Sequence, residues 1–172
     1  MRDLVAAAVA LALVMGALSL ATTLTVYRKR RRRTRDEELA QGRRIIAEIP
    51  GDDDLRLFTE DDRQFHYGAT PIDKTAIVAV RVLINGAPIA AYVSTRSAAS
   101  AALHPTSFDD RPEGIARDRW DVALERADGV TLIACGAIRE RVSQELARAV
   151  FDAVRRDLEA RDHHSDSGTP PR

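Results

Sequence analysis

The chain opens on an unbroken apolar run, passes through short alternating segments and closes on an amphipathic one. Leu4 to Tyr27 is 24 residues without a charge. A helix rises ~1.5 Å per residue and a bilayer's hydrocarbon core is ~30 Å thick, so roughly 20 residues span it. The pattern predicts a transmembrane anchor over residues 1–27. The hydroxyls of Ser19, Thr22, Thr23 and Thr25 can bond back to the helix's own carbonyls, and Tyr27 stands where an interfacial aromatic belongs. Thr34-Arg35-Asp36-Glu37 then has the form of a capping box. It predicts a second helix from about Arg35 to Glu48, with Leu39, Ile45 and Ile46 as apolar positions and Gly42 weakening it by ~1 kcal/mol. Pro50-Gly51-Asp52-Asp53-Asp54 breaks the chain, so residues 28–54 read as a juxtamembrane linker with a short helix.

From Leu55 the period changes to two. Leu55–Thr59 and Gln64–Tyr67 alternate around a turn at Asp61-Asp62-Arg63. Thr75–Ile84 is rich in β-branched residues and is the strongest strand signal in the chain. Asn85-Gly86 follows it and supplies the two positive φ angles of a type I′ hairpin turn, so Ala87–Val93 returns as its partner. Pro88 places that partner at a sheet edge. Residues 95–117, with Pro105 and Pro112, carry the weakest pattern. Trp120–Glu125 and Val130–Ala134 form a late hairpin around Asp128-Gly129, expected to be a turn of the same kind. A long helix follows from about Ala137 to Arg161. Its expected apolar stripe is Ile138, Val142, Leu146, Val150, Val154 and Leu158, and Asp152 with Arg156 and Arg155 with Glu159 can pair across one turn. Residues 162–172 are polar with two prolines and read as a disordered tail. The expected fold is α+β: the N-terminal transmembrane helix, then over residues 55–161 a mainly antiparallel β sandwich or barrel of six or seven strands, closed by the long C-terminal helix.

Charge adds direction to this picture. Over the whole chain the formal net charge is zero, but residues 1–35 hold eight Lys/Arg against one Asp, and residues 36–172 hold eighteen against twenty-five acidic residues. The basic neck is Arg28, Lys29, Arg30, Arg31, Arg32, Arg33 and Arg35. Such a cluster resists translocation, which predicts a single-pass protein of the inner membrane with its N-terminus outside and its C-terminal domain in the cytoplasm. A cleaved signal peptide has its charge before a shorter apolar run, the reverse of this order. The same seven side chains are the expected contacts to anionic lipid headgroups, worth ~1 kcal/mol each near the surface. An acidic body repels phosphate, so no nucleic-acid partner is expected. One cysteine, Cys135, excludes an intrachain disulfide.

Three stretches resemble bacterial pleckstrin-homology-like domains, which are often fused to transmembrane helices. Asp61–Gly68 with Ile72, Ile77 and Val80 is similar to that family's early hairpin. Trp120–Ala134 resembles a late hairpin, and Ile138–Leu158 its closing helix. The resemblance implies a bent seven-stranded sandwich capped by a helix, with no shared catalytic residues. Lipid binding through the first turn does not carry over, because Asp61-Asp62-Arg63 is net acidic.

Candidate chemistry is sparse. His66 lies in a predicted strand, and His104 sits in a loop before Pro105. His163 and His164 lie in the tail beside Asp162 and Asp166. Cys135 precedes a helix start, where a thiol's pKa can fall, yet a buried structural cysteine is the default reading. Trp120 reads as a packing anchor. Asp52–Asp54 and Glu60–Asp62 lack EF-hand spacing, and no nucleophile elbow, P-loop, HExxH, CxxC or GxGxxG occurs. No catalytic, cofactor-binding or metal residue is assigned. The reading is a non-catalytic, membrane-tethered interaction module that offers a sheet edge or groove to a protein partner at the cytoplasmic face. The alternatives are an assembly or scaffold subunit of a larger membrane complex, and an enzyme built on Cys135, His66 and His104.

Overall fold

The computed structural model describes residues 2–51, 55–95 and 119–166. Two compact units follow each other along the chain, Met1–Gly42 and Arg43–Arg172.

The first unit is one helix, α1, Arg2–Ala40. Among the described residues, no helix is long and apolar enough to cross a membrane. The expected transmembrane helix is thereby corrected: α1 does not stop with the apolar run but continues unbroken through the charged residues 28–40, and most side chains of the apolar run lie outside the described residues. The hydroxyls of Thr22 and Thr25 do bond back, to the carbonyls of Ser19 and Thr22, both at 2.8 Å. The separate capped helix is also corrected. Thr34 lies inside α1, and its hydroxyl donates to the Arg30 carbonyl at 3.2 Å. The helix ends where Gly42, at φ 74°, adopts a left-handed turn and its N–H reaches the Leu39 carbonyl at 3.0 Å.

The second unit contains eight strands rather than six or seven: β1 Arg44–Pro50, β2 Leu55–Glu60, β3 Gln64–Tyr67, β4 Thr70–Asp73, β5 Ile77–Ile84, β6 Ala87–Val93, β7 Arg119–Arg126 and β8 Gly129–Ala137, followed by helix α2, Arg141–Asp166. Two strands lie outside the expectation: β1, in the stretch expected to be helical, whose isoleucines suit a pleated surface and which Gly42 frees from the helix, and β4, in a stretch given no element. β1 to β4 form an antiparallel meander. The second sheet is also antiparallel but ordered β6-β5-β7-β8. β5 takes partners on both sides, so β6 and β7 run in the same direction.

The Asn85-Gly86 turn forms as expected, with φ 52° and 79°. The β7–β8 turn does not match it. Arg126 pairs with Gly129, so the turn residues are Ala127 and Asp128. Asn85 is the only described non-glycine residue with positive φ, so Asp128 does not take the type I′ geometry. Residues 96–118, including His104, Pro105 and Pro112, lie outside the described residues.

The two sheets and α2 share one core. Ile49, Phe58, Phe65 and Ile72 come from the first sheet, Val80, Val122, Leu124 and Ile133 from the second, and Val150, Val154 and Leu158 from α2. Phe58 and Phe65 stack with ring centroids 5.5 Å apart. Fully burying such a side chain contributes ~1.5–3 kcal/mol, so this shared interior holds helix and sheets together. α2 begins four residues later than expected and runs to Asp166, taking in part of the expected tail. The stripe spaced by four is corrected as well: Val142 is exposed, and Ile138 precedes the helix. Four residues advance a helix by ~400°, so a strict four-residue spacing drifts ~40° per step off one face. Ala147, Val150, Phe151, Val154 and Leu158 mix steps of three and four, and with Ser143 and Ala153 these are the buried positions. Gly136 lets β8 meet α2. Its φ is 115°, and a Cβ there would come within 2.5 Å of the Ser143 hydroxyl oxygen.

Candidate functional site: a groove between β1 and α2

β1 is an edge strand, hydrogen-bonded to β2 on one side. Its ladder contains a bulge: Ile45 faces Thr59 and Ala47 faces Phe58, leaving Ile46 as the extra residue. A bulge re-aims the side chains on either side of it, and here Ile45 and Ile46 are both half-buried instead of alternating in and out. α2 runs past this edge. Between them lies a cleft of about 560 Å³, lined by Arg44, Ile45 and Ile46 from β1 and by Ala149, Asp152, Arg155, Arg156 and Glu159 from α2. Spacings of three and four along α2 put its five contributors on one strip of the helix, beside the buried strip. The small Ala149 keeps that wall low.

The groove is apolar at its isoleucines and charged along its rim. Arg44 Nε donates to Glu60 Oε1 at 2.9 Å. Arg155 Nε donates to Glu159 Oε1 at 2.7 Å, and its guanidinium lies 5.8 Å from the Tyr92 ring centroid. The expected Asp152–Arg156 pairing takes another form, because Arg156 Nε donates to the Asp152 backbone carbonyl at 3.1 Å. Three guanidinium groups and two carboxylates line the groove, and Glu60, paired with Arg44 at its edge, brings the charges level.

A smaller cleft of about 260 Å³ flanks the other side of α2, with Val82, Ala90, Trp120, Ala147 and Phe151 among its walls. Trp120 is therefore a core residue with one edge on a cavity; its Nε1 donates to the Ile138 carbonyl at 3.4 Å.

The residues considered for chemistry do not converge. His66 is buried in β3 and bonds Asp61 at 2.8 Å, closing the β2–β3 corner. His163 and His164 belong to the last turns of α2 and are exposed. His164 Nδ1 lies 2.9 Å from the Ala160 carbonyl oxygen. Cys135 is buried inside β8, not at a helix start. Burial, and then the nearby Asp121 carboxylate, push its thiol up to about 12, with Arg119 opposing. That suppresses thiolate at neutral pH. Asp121 is itself 1% exposed and paired to Arg119 at 2.7 Å, in an alignment that leaves its oxygens without a well-directed hydrogen bond. Burial raises its carboxyl above the ordinary range despite that pair. Among the described residues no group of His, Cys, Asp and Glu is placed to hold a metal ion. Asp52–Asp54 lie outside the described residues. Arg28, Lys29, Arg30, Arg31, Arg32, Arg33 and Arg35 are exposed on the second half of α1.

The groove is the site that sequence reasoning missed, because β1 was read as part of a helix. The signal was present in Gly42, followed within seven residues by three β-branched isoleucines. No family model, no curated protein and no solved structure matches this chain.

Proposed function

We propose that this chain is a non-catalytic interaction module, held at the cytoplasmic face of a membrane by its N-terminal segment, which receives an extended segment of a protein partner in the β1/α2 groove. The observation that carries this reading is the groove itself: an edge strand with no ladder partner beyond β2, an isoleucine floor and an arginine-rich rim. Main-chain hydrogen bonds to a free strand edge supply affinity, and pockets beside it supply selectivity. The fitting occupant is a strand-forming peptide with apolar residues toward Ile45 and Ile46 and carboxylates toward Arg155 and Arg156. Support for the membrane placement comes from the sequence, the seven basic residues between Arg28 and Arg35, which suit an anionic lipid surface.

The test is photo-cross-linking in cells expressing the full chain, with a photoreactive residue at Arg156 and, as a control, at the exposed Val142. A discrete adduct at 156 but not 142, lost when Ala149→Trp fills the groove, is the expected result. Identical adducts at both positions, or an adduct indifferent to Ala149→Trp, would remove the groove from the mechanism. Fractionation of the same cells at low ionic strength tests the tether. The chain is expected in the membrane pellet, and its full recovery in the supernatant would overturn the tether.

A further inference from the structure

A free strand edge is a template for another strand, and proteins block such edges with charge, proline or shortness. Three edges here carry those devices. β1 contains Arg44, Glu48 and Pro50, which flank the Ile45–Ile46 stretch that lines the groove; β4 is four residues long and holds Pro71 and Asp73; β6 carries Pro88. β8 has none. It is the other edge of the second sheet, hydrogen-bonded to β7 alone, with part of β1 close by but in no ladder with it. Its nine residues, Gly129–Ala137, include no charged residue and no proline. On the face turned away from the core, Val130 is 62% and Leu132 42% exposed. Thus the least protected edge is also the one that presents large apolar side chains to water.

We propose that β8 pairs antiparallel with β8 of a second copy across a two-fold axis at Ile133, joining the two second sheets into one. The occupant is argued from the strand itself. Pairing about Ile133 sets Leu132 opposite Ala134 and Val130 opposite Gly136, so outward positions meet outward positions and the sheet faces continue. The two Leu132 side chains become diagonal neighbours, within reach of each other. Charge is complementary at both ends. Asp128, 74% exposed in the turn before β8 and paired within its own chain to Arg126 at 3.3 Å, comes beside the exposed Arg139 that follows β8 in the second copy, and symmetry makes this contact twice. A neutral strand between an acidic and a basic end is complementary to its own reverse. The contact is small: a ~30 Å edge covering on the order of 300 Å² per copy falls below the ~800 Å² per partner of a stable complex. The association is therefore a concentration-dependent equilibrium, independent of whether the β1/α2 groove binds a partner.

Sedimentation velocity of the full chain in density-matched detergent, over a range of protein concentrations, tests this. The wild type is expected to shift from monomer to dimer. Leu132→Lys should weaken dimerisation at least tenfold. Asp128→Lys and Arg139→Glu should each weaken it several-fold, and the double reversal should restore it to within twofold. All three positions are exposed, and far-UV circular dichroism verifies that each variant is folded. A monomer at every concentration, a dimer indifferent to Leu132→Lys, or a double reversal no better than the folded single variants would each overturn the pairing.

Discussion

Asp61 accepts hydrogen bonds from the backbone N–H groups of Arg63 (2.8 Å) and Gln64 (2.7 Å) and from His66 Nε2 (2.8 Å). The His66 bond first, then the backbone bonds, hold its carboxyl down to about 2, and burial opposes them. The native pKa lies below the unfolded value of 3.8, so the ionised form contributes stability above pH 3.8 that is lost as pH falls through about 2. Asp61→Asn keeps the oxygen that caps the turn and removes the charge. The melting-temperature advantage of the wild type over Asp61→Asn should be present at pH 6 and fade between pH 4 and 2. A gap constant with pH would show that the charge contributes nothing. The turn at this corner was legible because Asp-Asp-Arg between alternating segments has a local cause. Asn85-Gly86 was legible for the same reason. The β7–β8 turn was not, since Asp-Gly is compatible with several turns and the strand register selects which residues occupy it.

At the scale of elements, β5 to β8 and the existence of α2 followed from β-branched runs and helical spacing. β1 did not, because a basic, Ala/Ile-containing stretch after a helix suits either state and its pairing with β2 is a tertiary choice. The end of α2 was missed for a similar reason. Asp162 lies on it as the anchor of β6, taking hydrogen bonds from Ser94 Oγ (2.6 Å), Tyr92 Oη (3.1 Å) and the Thr95 N–H (3.1 Å). Burial acts to raise its carboxyl, but these bonds outweigh it and the net shift is downward. Nothing local distinguishes Asp162 from a tail residue, since its partners are 67 to 70 positions away in sequence. Asp162→Ala removes three acceptor contacts. Chemical denaturation should show a loss of about 1–3 kcal/mol, and hydrogen exchange at Ser94 and Thr95 should rise well before exchange in β7. Unchanged protection at those amides would mean that β6 is held by its ladder to β5 alone.

For the whole molecule, the separation of a basic neck from an acidic body was visible in the sequence and has a measurable result. Changing Arg30, Arg31, Arg32 and Arg33 together to Gln removes four exposed charges. At ~1 kcal/mol per residue near an anionic surface, partition of the full chain onto anionic vesicles should fall at least tenfold. Partition onto zwitterionic vesicles should change little. An equal loss on both would assign the effect to folding or aggregation.

The order of the second sheet also governs how the domain is made. Each pairing in the first sheet joins neighbours in sequence, and closing such hairpins takes about microseconds. β5, in contrast, must find β7 across some 40 intervening positions, as in the Arg81–Ala123 and Val82–Val122 pairs. Until those two strands meet, the second sheet is incomplete, so contact-order reasoning makes the meeting of β5 and β7 the expected slow step of assembly. Loop-closure cost grows only by ~0.6 kcal/mol for each doubling of length. A change in the number of residues between β6 and β7 is therefore expected to alter folding speed more than stability.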